Sequence, residues 1–174
     1  QRSFQICENY YGNAYSLDGM NFLLKNAKQA NGLFYRNYKN GKASIPGFLD
    51  DQVFMVEALV EMYRSHFSEN YLLEAKQLME LIIEHYYDVK SGGFFYSGKD
   101  QSQPVLKTKE VTDNVIPSAN SAMANMLFVL GHYFYKEEWI KMSKDMCIQV
   151  KNKAKKYGPY YSNWANTILQ HTQG

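Results

Sequence analysis

The residues best suited to chemistry are carboxylates at the starts of apolar, helix-like segments. Asp50 and Asp51 stand just before the run Val53–Tyr63, and Asp113 shortly precedes the run Ala119–Leu130. Paired carboxylates in a partly dry cleft split their pKa values, leaving one as an acid and one as a base or nucleophile. Glycosyl chemistry needs that division of labour, with the carboxyl groups about 5 Å or about 6.5–9.5 Å apart. Adjacent residues rarely aim at one point, so Asp113 is the better partner for Asp50 or Asp51. The same positions also suit N-capping, in which a carboxylate oxygen accepts from free backbone N–H groups.

A second constellation surrounds Asp113. Ser118 follows Pro117 and reads as an N-cap, while Asn120 and Ser121 fall in the first helical turn. Polar side chains and free N–H groups there could hold a sugar hydroxyl or an anion. Glu57 lies two turns into an apolar segment; a buried carboxylate must be paired or protonated, so it is either an ion-pair member or a cavity acid. Arg36 and Tyr38 follow the aromatic run Leu33-Phe34-Tyr35 and could bond to or stack on a sugar ring. That run and Phe94-Phe95-Tyr96 also suit a plainer task, anchoring a short β-hairpin to the helix ends.

Other chemistries are not expected. His66, His85, His132 and His171 are scattered without metal-ligand spacing, and His66 and His132 read as solvated ends of helices. Cys7 and Cys147 make no disulfide framework and favour a reducing, cytoplasmic setting; Cys147 reads as apolar packing. The basic run Lys151, Lys153, Lys155 and Lys156 reads as a wet helix end. With a net charge of +2 over 174 residues, no nucleic-acid partner is expected. No apolar run reaches the ~18 residues of a membrane span, and no metal, cofactor or membrane partner is foreseen.

The elements that must position these groups alternate in kind. Asn13–Gln29, Tyr71–Tyr87 and Glu137–Lys151 carry apolar residues at spacings of three and four with a charged face opposite. Val53–Tyr63 and Ala119–Leu130 are apolar nearly all round and must be enclosed by other helices. Tyr160–His171 could begin a third enclosed helix. Asn31-Gly32-Leu33-Phe34-Tyr35 and Gly92-Gly93-Phe94-Phe95-Tyr96 repeat at an offset of 61, each followed by a polar loop and Ile-Pro, with Gly158-Pro159 as a shortened third copy. Such units are helical hairpins that bury a continuous surface by stacking. The expected fold is all-α, a partial (α/α)6 toroid with long loops, able to form short β-hairpins, on one face.

The stretches Ile45-Pro46-Gly47-Phe48-Leu49-Asp50-Asp51, Gly92-Gly93-Phe94-Phe95 and Asp113-Asn114-Val115-Ile116-Pro117-Ser118-Ala119-Asn120-Ser121 carry a resemblance. From about Tyr15 to Gln170 the chain resembles the C-terminal portion of the thioredoxin-domain-containing proteins related to spermatogenesis-associated protein 20. The resemblance implies a toroid similar to those of N-acylglucosamine 2-epimerase and the six-hairpin glycosidases. Asn114 and Ala119 stand where that family's pattern has glycine. It also implies a single-domain fragment, residues 1–174, lacking the N-terminal thioredoxin-like domain and the first hairpins; no Cys-x-x-Cys occurs here.

Two functions follow as expectations. One is a glycosidase-like or epimerase-like domain that acts on or binds carbohydrate, with Asp50, Asp51 and Asp113 as acid/base groups and Arg36, Tyr38, Glu57, Ser118 and Asn120 around the substrate. The other is a non-catalytic binding or scaffolding module of a thioredoxin-domain-containing protein. A half-toroid would leave apolar flanks, with Phe54, Met55, Met126 and Phe128 covered by self-association or by the missing half.

Overall fold

The computed structural model describes residues 13–99 and 108–173. The Cys7 expectation lies outside them. Six α-helices run in chain order: α1 Asn13–Asn26, α2 Leu49–His66, α3 Glu69–Tyr86, α4 Ala119–Tyr133, α5 Glu137–Lys156 and α6 Ser162–Gln173. Strands β1 Tyr35–Lys39 and β2 Lys42–Pro46 form an antiparallel hairpin between α1 and α2, and a 3₁₀ turn at Gly158–Tyr161 leads into α6. The chain divides into two compact units, Gln1–Glu84 and His85–Gly174.

The alternation of helix types holds. No residue of Val53–Tyr63 or Ala119–Leu130 is exposed, whereas Leu73, Gln77, Glu80 and Glu84 of α3 are. Helix α5 carries Trp139, Met146, Cys147 and Val150 on its buried side and lysines on the other, as an amphipathic stripe demands. Helix α6 buries only Trp164 and Thr167 and is half wet, unlike an enclosed helix. Its polar composition supplies no second apolar face. Of the residues expected on apolar flanks, Met126 is buried, and Phe54, Met55 and Phe128 are partly exposed.

The boundaries shift where caps decide them. Helix α2 starts at Leu49 rather than after Asp51, so Asp50 and Asp51 occupy its first turn and Phe48 stands at the N-cap position. Helix α5 runs on to Lys156, making the lysine run its last turns. Ser118 caps α4 as expected, accepting from the Ser121 N–H at 3.2 Å. The tight connections each place an exposed aromatic in the left-handed region, Phe67 after α2 and Tyr135 after α4.

The Gly-aromatic repeat is real but displaced by one residue. In the first copy Lys28 bridges Phe34 and the Tyr35 N–H bonds the Ala27 carbonyl; in the second Tyr87 bridges Phe94 and the Phe95 N–H bonds the Tyr86 carbonyl. Phe34 therefore matches Phe94, and Gly32 (φ +89°) matches Gly92 (φ +70°). The first copy continues into the expected hairpin. At Ile45 that hairpin holds a β-branched residue at φ +62°, a conformation costly for such side chains. Ile45→Gly is expected to stabilise the protein by about 1 kcal/mol in denaturant titrations, because glycine removes the Cβ penalty from a half-exposed position.

Candidate functional site

Each unit builds its own polar cluster at the N-terminus of its enclosed helix. In the second unit, Asp113 is buried and accepts three hydrogen bonds. Its Oδ1 takes the Ser118 N–H at 2.9 Å and the Ser121 hydroxyl at 2.6 Å, and its Oδ2 takes the Asn163 N–H at 3.0 Å. One carboxylate thus satisfies donors at the start of both α4 and α6, where the helix dipoles favour negative charge. Asn120 is equally occupied. Its Oδ1 accepts from the Phe94 N–H at 2.7 Å, and its amide donates to the Phe94 and Glu110 carbonyls, each at 2.9 Å.

Asp113, expected as an acid, and Ser118 and Asn120, expected as substrate-binding groups, each hold structural contacts here. All three are buried, and their polar atoms serve backbone and neighbouring side chains. The physical reason is satisfaction: a buried polar group left unpaired costs more than a pair gains. Gln52 does for the first unit what Asn120 does for the second. Its side-chain oxygen accepts from the Phe34 N–H and its amide donates to the Phe34 carbonyl, both at 2.9 Å. Sequence reasoning missed Gln52, although a lone amide in the first turn of an apolar helix was the available signal.

The first unit holds a more open cluster. Asp51 accepts the Phe48 N–H at 2.9 Å, the carboxylate half of a capping box, and accepts from Arg36 Nη1 at 2.9 Å. Arg36 also lies 3.5 Å from Asp50 and 5.3 Å from the centre of the Phe48 ring. Burial pushes the Asp51 carboxyl upward, and the bond from Phe48 and the Arg36 charge oppose it. Tyr38 meets Phe22 edge to face at 5.0 Å. The structure therefore brings Arg36, Asp50 and Asp51 together and places Tyr38 on the hairpin beside α1.

Glu57 completes the picture. It follows Asp50 by seven residues on α2 and precedes Glu61 by four, so with Phe54 these side chains form one half-buried stripe on an otherwise enclosed helix. Glu61 pairs with Arg64 at 2.6 Å, whereas no cation among the described residues pairs with Glu57. Burial raises its carboxyl to about 7, with the charge of Glu61 acting the same way.

Other titratable groups serve packing. Lys109 Nζ bonds Asp88 at 2.8 Å and caps the second Gly-aromatic turn through Ser91 and the Gly92 carbonyl, holding the Asp88 carboxyl far below the usual range. Cys147 is buried and its thiol is pushed up to about 12. His66 is not the solvated end group expected: its Nδ1 lies 3.2 Å from the Met62 carbonyl and its Nε2 is buried. Ser143 and His171 form a Ser–His contact of 2.8 Å that sequence reasoning missed. Ser143 is fully buried and gives its hydrogen to the Ala124 carbonyl at 2.6 Å. It therefore accepts from His171 Nε2–H, the reverse of an activated nucleophile. Among the described residues no three metal-binding side chains cluster, and no helix is long and apolar enough to cross a membrane.

Sequence comparison decides the relationship. A stretch of 103 residues, 59% of this chain, is 30% identical to spermatogenesis-associated protein 20 of Mus musculus, and a similar match is found in Homo sapiens. The chain is related to spermatogenesis-associated protein 20. The matched stretch spans only 13% of the length of these relatives. An uncharacterized protein of Caenorhabditis elegans is 28% identical over 101 residues. No protein-family model matches the chain. In structure it is similar to cellobiose 2-epimerase from Spirochaeta thermophila, with a TM-score of 0.64, 15% identity, and coverage of 85% of this chain and 40% of the epimerase. The fold of the chain is thus that of an epimerase-like helical toroid.

Proposed function

We propose that this chain is a carbohydrate-handling domain whose chemistry rests on the acidic stripe of α2. Glu57 acts as the proton donor and acceptor, and Arg36, with Asp50 and Asp51 behind it, positions sugar hydroxyls. The observation that carries the reading is the Glu57 carboxyl, raised to about 7 on an enclosed helix with no cation among the described residues paired to it. General acid–base catalysis works best with a group poised near the operating pH. The likeness in fold to an enzyme that acts on cellobiose supports the substrate class, as analogy only.

A specific observation favours a second reading. The most distinctive sequence cluster, Asp113, Ser118 and Asn120, is consumed by backbone contacts, as a binding or scaffolding module would have it. Calorimetric titration with cellobiose, glucose and N-acetylglucosamine, coupled to a proton-exchange assay on any sugar bound, separates the two. The catalytic reading expects Arg36→Ala to weaken binding about tenfold. It expects Glu57→Gln to keep binding and lose roughly 10²–10⁴ in rate. Absence of binding by all three sugars supports the scaffold.

A further inference from the structure

We infer that the outer helices α3 and α5 form a charge-matched contact between two copies of this chain. On α5, Lys141, Lys144, Ile148, Lys151 and Lys155 recur at spacings of three and four, and all are exposed. They fall within one narrow stripe of the helix. Ile148 at its centre is 60% exposed. From Met146 to Gly174 there is no Asp or Glu, and among the described residues no carboxylate pairs with Lys151 or Lys155.

Helix α3 presents the complementary stripe: Glu69, Leu73, Gln77, Glu80 and Glu84, again exposed and again holding one aliphatic residue, Leu73, at 48% exposure. Laying the stripes parallel with Leu73 against Ile148 sets Glu69 opposite Lys144 and Glu80 opposite Lys155, because both intervals match in each helix. Beside the α3 stripe a groove of about 480 Å³, lined by Leu24, Tyr71, Leu73 and Gln77 among others, can receive the ridge of a second helix.

Other occupants of the α5 stripe fit less well. The apolar face of α5, with Trp139, Met146 and Val150, is buried in the protein, so the helix has nothing to insert into a bilayer. The stripe contains no arginine, the residue that reads phosphate and base edges bidentately. A second copy brings an acidic helix of matching spacing with it. Every copy carries both stripes, so one copy offers α3 to its neighbour's α5. Built from exposed ion pairs around two aliphatic side chains, it is weak and sensitive to salt.

Sedimentation velocity on the whole chain tests this, from about 10 µM to about 1 mM, at ionic strengths of about 0.05 M and about 0.5 M. Self-association is expected at the lower salt and should fade at the higher. Lys144→Glu with Lys155→Glu should weaken it at least about tenfold, as should Glu69→Lys with Glu80→Lys. Mixing the two doubly substituted chains does not pair their altered stripes with wild type but with each other, and should restore association. A monomer throughout the range overturns the inference. So does association that survives high salt or is indifferent to both charge reversals. None of these outcomes bears on sugar binding.

Discussion

Asp113→Ala is expected to destabilise the protein by about 3 kcal/mol, lowering the midpoint of thermal unfolding by roughly 10 °C. The substitution removes one buried carboxylate and orphans three donors: the Ser118 N–H, the Ser121 hydroxyl and the Asn163 N–H. Each orphan costs about 1–3 kcal/mol when water cannot reach it, and partial relaxation limits the sum. Asp113→Asn should retain most of the loss, since its NH₂ turns a donor toward a donor. Hydrogen exchange should report the damage first at the start of α6, which Asp113 holds through Asn163 and which Trp164 ties to the Val111 carbonyl at 2.8 Å. A solvent-facing catalytic acid behaves otherwise, because its removal commonly leaves stability unchanged or raised.

Glu57→Gln is expected to do the opposite, and only above acidic pH. In the unfolded chain this carboxyl titrates near 4.5, and in the folded protein near 7. The folded state therefore holds the proton more tightly, and stability is lost as pH rises between these values while wild-type Glu57 ionises. At pH 4 the two proteins should be equally stable. At pH 8 the glutamine variant should be more stable by roughly 2 kcal/mol, allowing for the carboxyl's partial contact with solvent. Urea titrations at the two pH values measure the difference. A side chain that costs stability at neutral pH is the kind of group that function retains.

The architecture was largely legible because enclosure leaves a direct trace in composition. Val53–Tyr63 has a single charged type, glutamate, among its apolar residues, and periodicity alone told it from Tyr71–Tyr87. The N-terminus of α2 was not legible, because Gly47-Phe48-Leu49 has no capping side chain at its first position and Asp51 caps backward from inside the helix. The repeat was displaced by one residue because Leu33-Phe34-Tyr35 and Phe94-Phe95-Tyr96 align by side-chain type, whereas the backbone aligns the residues clamped by Gln52 and Asn120.

The site was legible in part. Asp50, Asp51 and Arg36 do assemble, since fourteen or fifteen residues and one hairpin separate them. The role of Asp113 depends on Asn163, fifty positions later, and no local pattern announces a contact of that range. Glu57 was recognised as a carboxylate needing an explanation; which explanation applies depends on whether a cation faces it, and only three-dimensional packing decides that.

Carbon-13 NMR titration of the Glu57 carboxyl, assigned by its loss in Glu57→Gln, tests the central claim most directly. A midpoint near 7 is predicted. A midpoint near the ordinary 4.5 of a solvated glutamate would contradict it and remove the acid on which the proposed chemistry depends.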